Sequence, residues 1–327
     1  MRGSLCLVFS LTLLAALVGL PLSVSGQDAE LPDHVFPLVD GRHIHNLTDL
    51  FIAYGEAGQD LDAQGREMLW AEMLETPYPD LFNTVIYRGY TGELRHDYRQ
   101  DCMIRFWTEI WPRTETLRRL ANVAPVRAIN ARNRLFERFP DAVLDCDVYL
   151  LVAFSFSGKA VTLNGETVLA MGMERFQPDT DRLDIVLAHE HFHIHHFHHF
   201  SPVGELFRII WAEGMAVVAS QEMFPGSSLG DYMGFAPDRM LAIEDRRSDL
   251  ARFLLARLDS TDLTLRRAFV GMEENSLDLP PGAGYYLGEF IVFTLVREGY
   301  GLDELVHWQP DQVRAAMQRI LPSLIQE

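Results

Sequence analysis

Residues 187–200 read Leu-Ala-His-Glu-His-Phe-His-Ile-His-His-Phe-His-His-Phe, and within them His189-Glu190-His191-Phe192-His193 is an HExxH motif. At 3.6 residues per turn, positions 189 and 193 fall within about 40° of one another, so two imidazoles can share one metal while Glu190 stands beside them. These residue types suit metal-assisted hydrolysis: imidazole is a zinc ligand, and a carboxylate next to the ligand pair can take a proton from water. Five further histidines, His191, His195, His196, His198 and His199, crowd the same stretch. A tract that merely collects metal is therefore the competing reading.

A catalytic zinc takes three protein ligands and keeps one position open for water. Two residues compete for third place. His199 lies ten residues after His189, the offset of HExxHxxGxxH enzymes, but His196 stands where those enzymes carry a helix-breaking glycine. On a continuous helix His199 lies about 15 Å along the axis from His189 and roughly 80° round it, too far to share one ion. Glu213 arrives on a second helix, within Trp211-Ala212-Glu213-Gly214-Met215-Ala216. An acid in an otherwise apolar helix needs a reason to be buried, and metal coordination supplies one. The expected ligands are His189, His193 and Glu213, with Glu190 as general base.

HExxH with a glutamate on the following helix resembles the gluzincin class of zinc peptidases. The wider pattern is similar to the bacterial family of predicted zinc-dependent proteases of otherwise unknown function. The likeness rests on a strand and turn before Leu187-Ala188-His189-Glu190, on Glu213-Gly214-Met215-Ala216 and on Gly284-Tyr285-Tyr286-Leu287-Gly288, and covers about residues 140–300. It implies a zincin-like fold, Zn2+ as cofactor, a peptide or protein substrate, and a late tyrosine as donor to the developing oxyanion. Tyr285 and Tyr286 are both candidates for that donor, and His307 is a weaker one. One position departs from the pattern. Many such enzymes place an acid one turn after the glutamate ligand to orient a metal-bound histidine, and this chain has Val217 there.

Outward from the motif, Val148 to Phe156, Ala160 to Leu163 and Thr167 to Met171 read as strands, with Asn164-Gly165 as a tight turn. They predict a small antiparallel sheet delivered directly before a helix over Asp181 to Phe200 and a second helix over Gly204 to Met223. An edge strand beside the metal could pair with an extended peptide, and Thr167 to Met171 is the expected edge. Helices follow near Pro237 to Leu258, Tyr285 to Glu298 and Asp311 to Leu321. From Asn46 to Pro140 the apolar spacing is also helical, punctuated by Pro77, Pro79, Pro112 and Pro125. The expected class is α+β, mainly helical, with a small mostly antiparallel sheet before the HExxH helix. Three regions are expected: a signal peptide over 1–26, a helical region over 27–142 and a catalytic region over 143–327.

The first 26 residues combine Arg2, an apolar run from Leu5 to Leu20 and small residues ending in Val24-Ser25-Gly26. That pattern predicts a cleavable secretory signal and a secreted or periplasmic protein, or a membrane-anchored one if the segment is retained. No later segment is apolar enough to span a bilayer. The chain carries 46 acidic and 28 basic residues, a net charge of −18. This argues against nucleic acid or anionic lipid as partner and mildly disfavours acidic substrates.

With Cys6 inside the signal, Cys102 and Cys146 are left as the thiols of the mature chain. Two outcomes stay open: a disulfide worth about 4 kcal/mol in the chain-entropy model, or two buried thiols. Among the surplus histidines, His196 shares the face of His189 and His193 and is expected at the cleft. His191, His195, His198 and His199 project to the other side, as a solvated face able to take up adventitious metal. Two functional classes compete: a zinc peptidase, and a non-catalytic envelope protein that binds or buffers zinc. A buffer needs neither Glu190 nor a single buried third ligand.

Overall fold

A computed structural model describes residues 34–178 and 181–325; the expected signal segment lies outside them. The fold is α+β and mainly helical, built on one five-stranded sheet. Its strands are β1 (Val35–Pro37), β2 (His43–Asn46), β3 (Asp147–Leu151), β4 (Gly158–Leu163) and β5 (Glu166–Gly172), in the order β1-β2-β3-β5-β4.

The sheet is mixed rather than mostly antiparallel. β1/β2 and β5/β4 pair antiparallel, whereas β2/β3 and β3/β5 pair parallel, with Ile44 opposite Val148 and Val148 opposite Leu169. The Asn164-Gly165 turn closes the β4–β5 hairpin with positive φ at both residues, 52° and 86°, as a two-residue hairpin turn needs. Thr167–Met171 is not the edge. It lies within β5, between β3 and β4, and Val168 to Gly172 is buried without a break, the signature of a strand covered on both faces. β4 takes the edge instead. Its exposed Lys159 is a charge of the kind that guards free strand edges.

Six of the helices define the architecture around this sheet. α1 (Thr48–Gly58) and α2 (Thr114–Arg138) belong to the first half; α3 (Arg182–Phe197) carries HExxH; α4 (Leu206–Met223) carries Glu213; α5 (Ala283–Arg297) and α6 (Pro310–Ile325) complete the second half. Pro125 does not punctuate the chain as expected but sits buried inside the 25-residue α2. A proline there forfeits one helical hydrogen bond, which the packing of this long central helix tolerates.

The two halves share one continuous apolar core. Phe154, which follows β3, packs 6.3 Å from Phe51 of α1 and 6.0 Å from Trp70. Thr48 donates to the Leu150 carbonyl at 3.2 Å, which ties α1 to β3. α3 lies between α2 and α4 with β4 alongside, so it is buried on nearly every side. A helix enclosed in this way keeps little more than a narrow stripe, Arg182, Val186, His189 and Glu190, open to a cleft. Among the described residues, no helix is long and apolar enough to cross a membrane. Cys102 and Cys146 are buried and unpaired, and burial pushes each thiol up to about 12.

Candidate metal centre

His189 and His193 stand one turn apart on α3, their rings 4.6 Å apart and nearly perpendicular. Glu213 faces them from α4. Its Oε2 lies 3.2 Å from the Nε2 atoms of both imidazoles, and the three potential ligand atoms all fall within 4.8 Å of one another. All three residues are buried. Burial alone would raise the Glu213 carboxyl, but positive charge at His193 and hydrogen bonds from both imidazoles hold it below the usual carboxylate range. As metal ligands, with no proton on Nε2, the two imidazoles and the carboxylate would direct three lone pairs at one point. A divalent cation satisfies all three at once, so this buried His189-His193-Glu213 group can hold a metal ion.

A backbone crossing sets that convergence. A Cβ on Gly214 would stand 2.2 Å from the carbonyl carbon of Gly288, and one on Gly288 would stand 2.2 Å from the Ile210 oxygen. α4 and α5 therefore touch main chain to main chain immediately beside Glu213. The same contact swings Tyr285, one turn before Gly288, to the site.

Glu190 lines a cleft of about 910 Å3 together with His189 and Tyr285. Withdrawal from water raises its carboxyl to about 7, the charge of Glu213 adds to that, and His189 and Lys159 pull the other way. Such a group is poised to accept a proton near neutral pH. The N-terminal end of the edge strand presses against it: a Cβ on Gly158 would lie 2.6 Å from Glu190 Cγ.

The two tyrosines separate. Tyr285 lies 6.1 Å from the His189 ring and faces Glu213 and Glu190. Burial, then the charges of these two acids, keep its phenol protonated well above the ordinary range. Tyr286 turns away toward Glu244, Arg247 and Glu289 and takes no part in the site.

The surplus histidines also depart from expectation. His196 does not line the cleft; it is fully buried, stacked 5.3 Å from Phe200, and its ring nitrogens have no hydrogen-bond partner among the described residues. His191 and His195 are buried rather than solvated, because the side of α3 away from the His189-His193-Glu213 group packs on α2. Burial lowers His191 to about 3 and His195 to about 4, so both are neutral core residues at pH 7. His198 and His199 are exposed. His199 packs 4.4 Å from His307 and 5.3 Å from His195, so neither His199 nor His307 belongs to the ligand group. Val217 is buried at the position where an orienting acid would stand. Correspondingly, His193 Nδ1 has no hydrogen-bond partner among the described residues.

Sequence reasoning missed Glu174. Its buried side chain accepts hydrogen bonds from the backbone N–H groups of Ala153 and Phe154, at 3.1 and 2.8 Å, and fixes the corner that leads into β4. Phe154 takes a left-handed φ of 64° there. The signal that found Glu213, an acid in apolar surroundings, was also present in Met171-Gly172-Met173-Glu174.

No protein-family model, curated protein or solved structure matches this chain. The functional reading therefore stands on the geometry and on the motif resemblance alone.

Proposed function

We propose that the chain is a zinc-dependent peptidase of gluzincin type, with His189, His193 and Glu213 as metal ligands and Glu190 as general base. One observation carries the reading. Three buried ligand atoms converge within 4.8 Å, and the Glu190 carboxylate, next in sequence to His189, stands on the wall of the adjoining cleft. A store for metal has no use for that carboxylate.

Zinc, when bound, supplies Lewis acidity that makes water a better nucleophile and polarises the scissile carbonyl. Glu190 accepts the proton of the attacking water and returns it to the leaving amine. The protonated Tyr285 hydroxyl donates to the carbonyl oxygen as negative charge builds on it. β4, the free edge, offers backbone N–H and C=O groups to an extended peptide, and Gly158 lets that strand begin directly against Glu190. The leader-like residues 1–26 support a place outside the cytoplasm for this activity.

The test is hydrolysis of a quenched fluorescent peptide library by the zinc-loaded protein, before and after chelation, beside Glu190→Gln. Cleavage that is lost on chelation, and in a Glu190→Gln protein that keeps one zinc per chain, is the expected result. A zinc-loaded wild type that cleaves nothing, or a Glu190→Gln protein as fast as wild type, overturns the proposal in favour of a non-catalytic zinc-binding protein.

A further inference from the structure

The cleft does not share the charge balance of the chain. Acidic residues outnumber basic ones 46 to 28 overall, yet Arg175, Arg182, Arg239 and Arg267 line the cleft against Glu190, Glu273 and Glu274. Metal at the ligand group adds further positive charge. Arg182, Arg239 and Arg267 form no ion pair with any carboxylate among the described residues, Glu273 and Glu274 included. Arg182 and Arg267 are exposed and Arg239 is half-buried; Arg99 and Arg138, also half-buried, each hold two acids.

Two of the cleft arginines converge. Arg182 is the first residue of α3, seven before His189, so it stands on the same helix face about 10.5 Å along the axis. Its Nη2 lies 2.9 Å from where a Cβ on Gly234 would sit. Arg239 covers the next residue: its guanidinium is 5.4 Å from the Phe235 ring centre and is steadied by the sulfur and carbonyl oxygen of Met272, at 3.6 and 3.5 Å. These neighbours fix the position of the guanidinium without neutralising it. Phe235 in turn lies 6.2 Å from the Tyr285 ring. An extended peptide advancing about 3.3 Å per residue covers those two steps in at most about four residues.

We propose that the cleft selects peptides carrying a carboxylate within about four residues of the scissile bond, bound by Arg182 and Arg239 around the Gly234–Phe235 corner. The subsite rests on the peptidase reading for its meaning. The chain's net negative charge disfavours acidic substrates at long range, but salt screens that field within about 8–10 Å. Inside the cleft the nearest charges decide, and a planar guanidinium presents paired donors that match a carboxylate.

The experiment measures binding apart from turnover. Labelled peptides differing only by Glu or Gln at each position along the chain, each with a free or an amidated C-terminus, are titrated into zinc-loaded Glu190→Gln protein. Hydrolysis of the same peptides is followed with wild type. A tenfold or greater preference for Glu at one position, weakened by salt and falling toward one in Arg182→Gln and Arg239→Gln, is expected. Arg239→Glu should shift the preference toward Lys at that position. A preference that follows the free C-terminus instead identifies the terminal carboxylate as the bound group and an exopeptidase. Equal affinity for Glu and Gln peptides, free and amidated alike, overturns the subsite even if peptides are cleaved. A carboxylate preference without any cleavage overturns the peptidase reading and leaves the subsite standing.

Discussion

Gly214→Ala probes the contact beside which the candidate metal ligands His189, His193 and Glu213 are gathered. The added Cβ would lie 2.2 Å from the carbonyl carbon of Gly288 and 2.3 Å from its oxygen, against an ordinary contact of 3.4–4 Å. The obstacle is backbone, so no side chain can rotate away. α4 and α5 must separate by more than about 1 Å. Alanine gains about 1 kcal/mol over glycine in helix propensity, while overpacking of this kind costs about 1–3 kcal/mol, and a main-chain clash sits at the upper end. We expect a net loss of about 2 kcal/mol, or about 4–8 °C in Tm. The functional effect should be larger than the structural one. The shift displaces either Glu213, which stands next to the clash, or Tyr285, one turn from Gly288, and a 1 Å misplacement can cost about 100-fold in rate. Urea unfolding, zinc competition against a chromogenic chelator and peptide hydrolysis measure the three effects. Gly288→Ala should behave alike, and the double variant should not be additive, because both side chains contest one gap. An alanine variant as stable as wild type, with unchanged zinc affinity and turnover, would refute the idea that this crossing positions the site.

The same geometry sets three more expectations. Burial depresses His191 to about 3, below the unfolded value near 6.5. The unfolded chain therefore binds the extra proton, and the stability His191 contributes is present above pH 6.5 and is lost as pH falls toward 3. Between pH 7.5 and 5 the metal-free protein should lose about 2 kcal/mol through this residue, and His191→Leu should lose that much less over the same interval by urea unfolding. Tyr285→Phe should cut kcat about 100- to 1000-fold with zinc retained, whereas Tyr286→Phe, outside the site, should stay within about twofold of wild type. Thiol titration without reductant should find both Cys102 and Cys146 reactive in denaturant and neither reacting quickly in the native protein.

The buried His189-His193-Glu213 group and its neighbour Glu190 were legible because their signals are local. Helical periodicity fixes where residues 189, 190 and 193 point, and a carboxylate in an apolar helix is costly enough that Glu213 announces a partner. The β4–β5 hairpin was legible for the same reason, since Asn164-Gly165 has few other conformations to adopt. What a residue faces on another element was not. The unbroken apolar run of β5 against the charged, exposed Lys159 of β4 hinted at which strand is covered. Yet the edge was settled by the parallel pairing of β3 with β5, a contact that local spacing does not encode. Helix geometry placed His191 and His195 away from the His189-His193-Glu213 group correctly. It could not say that α2 rather than water lies there, so a solvated face became a neutral core.

The choice between adjacent tyrosines and the charge of the cleft belong to the same class. Tyr285 and Tyr286 differ by one position on one helix, and only the crossing at Gly214 and Gly288 turns the first toward Glu213. Arg182 and Arg239 are 57 residues apart in the chain and flank adjoining residues because α3 packs against the Gly234–Phe235 corner. Periodicity and the cost of burying charge are properties of a residue and its near neighbours along the chain, so HExxH and Glu213 could be read from the sequence. Exposure, strand order and the field inside a cleft are set by whichever distant segments come to lie alongside, so these waited for the folded chain.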